Sequence, residues 1–123
     1  MHEKMNINDE LGIEVLFVDF SNLTEKEILE AFPLVTEMNI SRELRYNIFD
    51  VSNTRTTSNI RDAAKKEIEA AEQVVGKIYR ALVGVSGIEK MIAKIISKDV
   101  YFADDFEDAK RWIVEQSRIV DQA

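Results

Sequence analysis

Ile13-Glu14-Val15-Leu16-Phe17-Val18-Asp19-Phe20 is an almost unbroken β-branched and aromatic run, and three shorter runs follow it at helix-length intervals. Near-continuous apolar character suits a strand covered on both faces, as in a parallel sheet. The later runs are residues 46–51, residues 79–85 (interrupted by Arg80) and residues 100–102. Between the first two, Thr24-Glu25-Lys26-Glu27 reads as a capping box. Ile28, Leu29, Phe32 and Val35 keep helical spacing behind it. Pro33 cannot donate to the preceding turn and is expected to kink or split that helix. Ile60, Ala63, Ala64, Ile68, Ala71, Val74 and Val75 mark the buried stripe of a long helix, which Gly76 stops. Ser86-Gly87-Ile88-Glu89 opens another, with Ile88, Met91, Ile92, Ile95 and Ile96 inward. Asp104, Asp105, Glu107 and Asp108 crowd the first turn of the last helix, where the dipole favours negative charge, and Ala109, Trp112 and Ile113 anchor it. This rhythm predicts an α/β fold. A single domain, 1–123 with its core at about 13–115, holds a four-stranded mainly parallel sheet with about four helices packed on it through right-handed crossovers.

Composition narrows the function classes. Hydrophobic residues at 46% and charged residues at 32% describe a soluble globular chain rather than a disordered one. A net charge of -7 repels nucleic-acid phosphates, so no nucleic-acid partner is expected. The chain has no cysteine, which removes disulfides, zinc thiolates and thiol nucleophiles. Its one histidine is His2, so neither a metal site nor a Ser-His triad is expected. No apolar run approaches the roughly 18 to 20 residues that span a bilayer, and the start lacks the basic and apolar segments of a signal peptide. The expectation is a cytoplasmic domain with no stable membrane insertion and no cofactor.

The strand exits resemble one another: Val18-Asp19-Phe20-Ser21-Asn22, Phe49-Asp50-Val51-Ser52-Asn53 and Val83-Gly84-Val85-Ser86-Gly87. In a parallel sheet they meet at the carboxyl edge, where ligands generally bind. Asp19, Ser21, Asp50, Ser52, Ser86 and Gly87 are therefore the candidate ligand or partner surface. Ser and Asn are also preferred turn formers and caps, which is the structural reading of the same residues.

Together with the tail from Phe102 through Glu107, Ala109, Trp112 and Ile113, these exits resemble the STAS fold family. Within it, they look like the SpoIIAA-like group sometimes labelled STAS/SEC14. The resemblance runs from about Ile13 to Glu115. It implies a small α/β domain acting in protein interaction or ligand sensing rather than turnover. Founding members antagonise anti-sigma factors and are switched by phosphorylation of a serine after the second parallel strand. They carry an Asp-Ser-Ser-Gly-Leu-Gly stretch there, whereas this chain reads Thr57-Ser58-Asn59-Ile60-Arg61-Asp62, without the glycine pair. Thr57 and Ser58 are the candidate phosphoacceptors.

Other constellations are weaker. Asp19 and Asp50 resemble part of a receiver's acidic pocket, but the adjacent acidic pair and the fifth-strand lysine are missing. Lys90, Lys94 and Lys98 form an i, i+4 stripe that reads first as a solvated helix face and second, with Lys77 and Arg80 nearby in sequence, as a basic patch for anionic lipid or an acidic partner. Ser86-Gly87 lacks the G-x-x-x-x-G-K-[ST] pattern, so nucleotide hydrolysis is not supported. The resulting expectation is a non-enzymatic STAS-like regulatory or protein-interaction module, tuned by phosphorylation or a bound anion at the strand-exit loops. The rival is a carrier of SEC14-like type for a lipid or anionic metabolite, with a pocket between the carboxyl edge and the helix carrying Pro33. A protein partner is expected, and a homodimer is compatible with either.

Overall fold

The computed structural model describes residues 4–9, 12–86, 90 and 100–122. Five strands and three helices lie among them: β1 (Met5–Asn8), β2 (Val15–Asp19), α1 (Glu25–Ser41), β3 (Tyr46–Asp50), α2 (Ser58–Val75), β4 (Tyr79–Val83), β5 (Val100–Ala103) and α3 (Phe106–Gln122). The strands form one sheet in the order β1-β2-β3-β4-β5. β1 is antiparallel to β2, and every other pairing is parallel.

The α/β class and the mainly parallel sheet agree with the sequence expectation, but the count of strands does not. β1 falls in a segment read as a polar start, because four residues with only Met5 and Ile7 apolar carry no decisive period. Its pairing is long-range: Met5 lies opposite Val18 and is buried. Of the helix expected from Ser86-Gly87-Ile88-Glu89, Ser86 and Lys90 are described, Lys90 being helical with its N–H donating to Ser86 O at 2.9 Å. Gly87, Ile88, Glu89, Met91, Ile92, Ile95 and Ile96 lie outside the described residues, as do Lys94 and Lys98.

Alternation along the strands builds two cores. Leu16, Val18 and Phe49 face α1 and α2, where Ile28, Ala31, Val35 and Ile60 meet them. Val15, Ile48, Ala81 and Val83 face the opposite side, against Ala109 and Ile113 of α3. Leu16, Ile48 and Ile113 have no exposed surface, and full burial of each such side chain stabilises by about 1.5–3 kcal/mol. Around the second core, Tyr101 stacks on Trp112 at 5.0 Å and Tyr46 on Tyr79 at 5.5 Å. Trp112 is thus packing.

α1 begins with the expected capping box: Thr24 Oγ1 accepts from Glu27 N at 3.3 Å, and Glu27 Oε1 accepts from Thr24 N at 3.0 Å. The helix then runs through Pro33 without a break, contrary to the expected split. Pro33 sits on the exposed face, so its ring crowds no core neighbour while Ala31 and Val35 stay in the core. α2 stops at Gly76, whose φ of 86° suits glycine alone. No helix among the described residues is long and apolar enough to cross a membrane.

Candidate functional site

β2 and β3 end in the same four-residue pattern, Asp-x-Ser-Asn, and fold it the same way. Asp19 Oδ1 accepts from the backbone N–H and the hydroxyl of Ser21, at 3.0 and 2.5 Å. Asp50 Oδ1 accepts from Ser52 in the same two ways, at 3.0 and 2.7 Å. Asn22 and Asn53 follow with φ of 61° and 55°, a region that Asn tolerates better than most residues. The two turns are tied together: Asn53 Nδ2 donates to Asn22 Oδ1 at 3.0 Å, and Asn22 N to Ser52 O at 2.9 Å. The Ser21 hydroxyl bond is the main reason that the Asp19 carboxyl titrates below its ordinary range.

The structure thus brings Asp19, Ser21, Asp50 and Ser52 to one edge, as the sequence suggested, with both hydroxyls spent on closing turns. Gly84 packs so closely on this edge that a Cβ there would collide with Ser52. Ser86 lies at the same end of the sheet and borders the cavity described below. Gly87 lies outside the described residues. Thr57 is the N-cap of α2: its Oγ1 accepts from Ile60 N at 3.2 Å and donates to the Glu25 carboxylate of α1. Ser58 is exposed at the first position of the helix.

A cavity of about 860 Å³ lies between α1, α2 and the sheet, within the size range of drug-sized ligand sites. Phe20, Phe32 and Phe49 supply an aromatic wall, with the Phe20 ring 5.7 Å from each of the other two. Ile28, Val35, Ile60 and Leu82 add aliphatic surface. The strand-exit loops border it through residues 53–56 and 84–86.

Polar groups interrupt this lining. Asn47 of β3 and Arg80 of β4 are paired in register, and both border the cavity. Arg80 is nearly buried, forms an ion pair with Glu72 at 3.7 Å and donates to the Ile78 carbonyl at 3.3 Å. Thr36 of α1 donates to the Glu67 carboxylate of α2, closing the helices over the cavity. Asn47 is completely buried, yet neither its Oδ1 nor its Nδ2 has a hydrogen-bond partner, and Asn39 Oδ1 is also buried and unpartnered. A buried amide left unpaired costs roughly 1–3 kcal/mol, so such groups stand out in a native core.

The sequence points to none of Asn39, Asn47 or Glu67 as a site residue, and it offers Arg80 only as part of a surface basic patch, whereas Arg80 is buried and paired with Glu72. The signal was there for two of them: a polar residue at an inward-facing position of a strand otherwise made of apolar residues. Among the described residues, no group of three His, Asp or Glu side chains could hold a metal ion. No protein-family model, curated protein or solved structure matches this chain, so the likeness to the STAS family is carried by the sequence motifs alone.

Proposed function

We propose that this domain is a non-enzymatic sensing module that binds a small amphipathic molecule between α1, α2 and the sheet. The observation that carries this reading is the unpartnered Asn47 carboxamide in a largely apolar cavity of about 860 Å³. A neutral amide is neither acid nor base at cellular pH; it recognises a ligand by hydrogen bonding rather than transforming it. Of the two roles raised by the sequence, carrier and regulatory module, the cavity favours a ligand-binding component in either. The STAS-like regulatory role adds a cytoplasmic protein partner docked at the strand-exit loops, which border the cavity and so can sense its occupancy.

The test is direct. Nile red, a neutral dye that brightens in apolar sites, should bind the full chain with about one dye per protein. Ala64→Phe, which places a ring in the cavity, should abolish that binding while the chain stays folded. A native chain that neither binds the dye nor retains small-molecule mass in native mass spectrometry would end this reading.

Phosphorylation is the second input we propose, and we assign it to Ser58. The exposed position of Ser58 favours it over Thr57, whose hydroxyl is engaged on both sides.

A further inference from the structure

We infer that the cavity selects a flat aromatic molecule bearing a neutral amide edge, a primary carboxamide or a lactam, and rejects the matching carboxylate; this rests on the cavity being a ligand site. Asn47 offers a donor and an acceptor on one planar group, both buried and unpartnered, and Asn39 Oδ1 adds a second acceptor to the same cavity. The complement is a group with N–H donors and a carbonyl acceptor in one plane, as in an amide. A carboxylate supplies no donor, so it would face two carbonyl oxygens without satisfying either.

Charge points the same way. Of the two arginines that border the cavity, Arg55 is an exposed loop residue, and the buried one, Arg80, already has Glu72 at 3.7 Å and the Ile78 carbonyl at 3.3 Å. Glu67, whose carboxylate accepts from Thr36, also borders the cavity and would repel an anionic head. The body of the ligand is set by Phe20, Phe32 and Phe49, whose tilted and edge-on rings favour a planar aromatic partner.

Three isosteric probes separate the possibilities: 2-naphthamide, 2-naphthoate and 2-methylnaphthalene, each competing with Nile red on the full chain. 2-Naphthamide should displace the dye at a concentration at least about tenfold below either of the others, the scale of a satisfied buried hydrogen-bonding group. Asn47→Leu should lose the preference, 2-naphthamide then being no better than 2-methylnaphthalene. If the dye binds but 2-naphthamide is no better than 2-naphthoate, the head-group inference is overturned and the cavity reading stands. If neither the dye nor any naphthalene binds, both fall. Should Asn47→Leu not fold, the selectivity of the parent chain among the three probes decides the matter alone.

Discussion

Asn47 and Arg80 are Cα partners across β3 and β4, and both side chains lie on the sheet face that meets α1 and α2. Their strand neighbours Ile48 and Ala81 point the other way, into the core against α3. Two polar residues therefore stand side by side where the fold would otherwise place aliphatic ones. Arg80 has its charge answered by Glu72, whose carboxylate also accepts from Ile78 N at 2.9 Å. Asn47 has no such answer. Local disagreement between a residue and its environment is where function is most economically sought.

The first prediction follows from that difference. Asn47→Leu should stabilise the ligand-free domain by about 1–2 kcal/mol, because it trades an unpaired buried amide for an aliphatic group of similar size. Urea unfolding with an unchanged slope is the measurement. A loss of more than about 1 kcal/mol would mean that the amide is satisfied in the ligand-free fold, and the head-group argument would then rest on the selectivity of the parent chain among the naphthalene probes.

Much of the frame was readable because its signals are local. The run from Ile13 to Phe20 became β2, Thr24 and Glu27 formed their capping box, and Gly76 ended α2. What escaped was decided at long range. β1 exists through its pairing with β2, and Pro33 is tolerated because its face of α1 is exposed. Arg80 looked like an interruption of its strand when it is an inward residue whose partner, Glu72, lies in α2. The turns of Ser21 and Ser52 lie side by side at the end of the sheet, but no local pattern tells that Asp19 and Asp50 accept from both hydroxyls.

Gly84 fixes how closely the β4 exit approaches the β3 exit. Its φ of 87° and the collision of any Cβ with Ser52 act together. Gly84→Ala should destabilise the domain by about 1–3 kcal/mol, the cost of holding a side chain in a disfavoured backbone region. Chemical denaturation tests the value. A substitution within 0.5 kcal/mol of the parent, roughly the scale of neutral surface changes, would show that the two loops separate freely.

Acid should unfold the domain through a small set of carboxylates. Asp108 is held below its ordinary value of 3.8 by the backbone N–H of Asp104, then by Arg111 and Tyr101. Glu27 is lowered from 4.5 by Thr24, and Asp19 from 3.8 by Ser21. Each lowered value means that the folded chain prefers the ionised form, so the contribution is complete above the ordinary values and lost as pH falls through the lowered ones. The urea midpoint should therefore decline below about pH 4.5, and Asp108→Asn should flatten part of that decline. Stability that keeps rising from pH 5 to pH 3 would contradict the assignment.

Ser58 and Thr57 separate by stability as well as by function. Thr57→Ala removes the N-cap bond to Ile60 N and the link to Glu25, and should cost about 1 kcal/mol. Thr57→Asp keeps an acceptor for the cap but sets a second carboxylate against Glu25, so it should also destabilise. Ser58→Asp places its charge in the exposed first turn of α2, where the helix dipole favours it by about 0.3–1 kcal/mol. Ser58→Ala should be close to neutral. A phosphate on Ser58 would therefore leave the fold intact, while adding about -1.5 to -2 charges to a chain already at -7, beside the loops that border the cavity. A partner docked on those loops should bind the Ser58→Asp chain more weakly than the Ser58→Ala chain. Equal binding by the two, with no phosphate at Ser58 in peptide mass maps of the native protein, would leave Thr57 and Ser58 as helix-capping residues and nothing more.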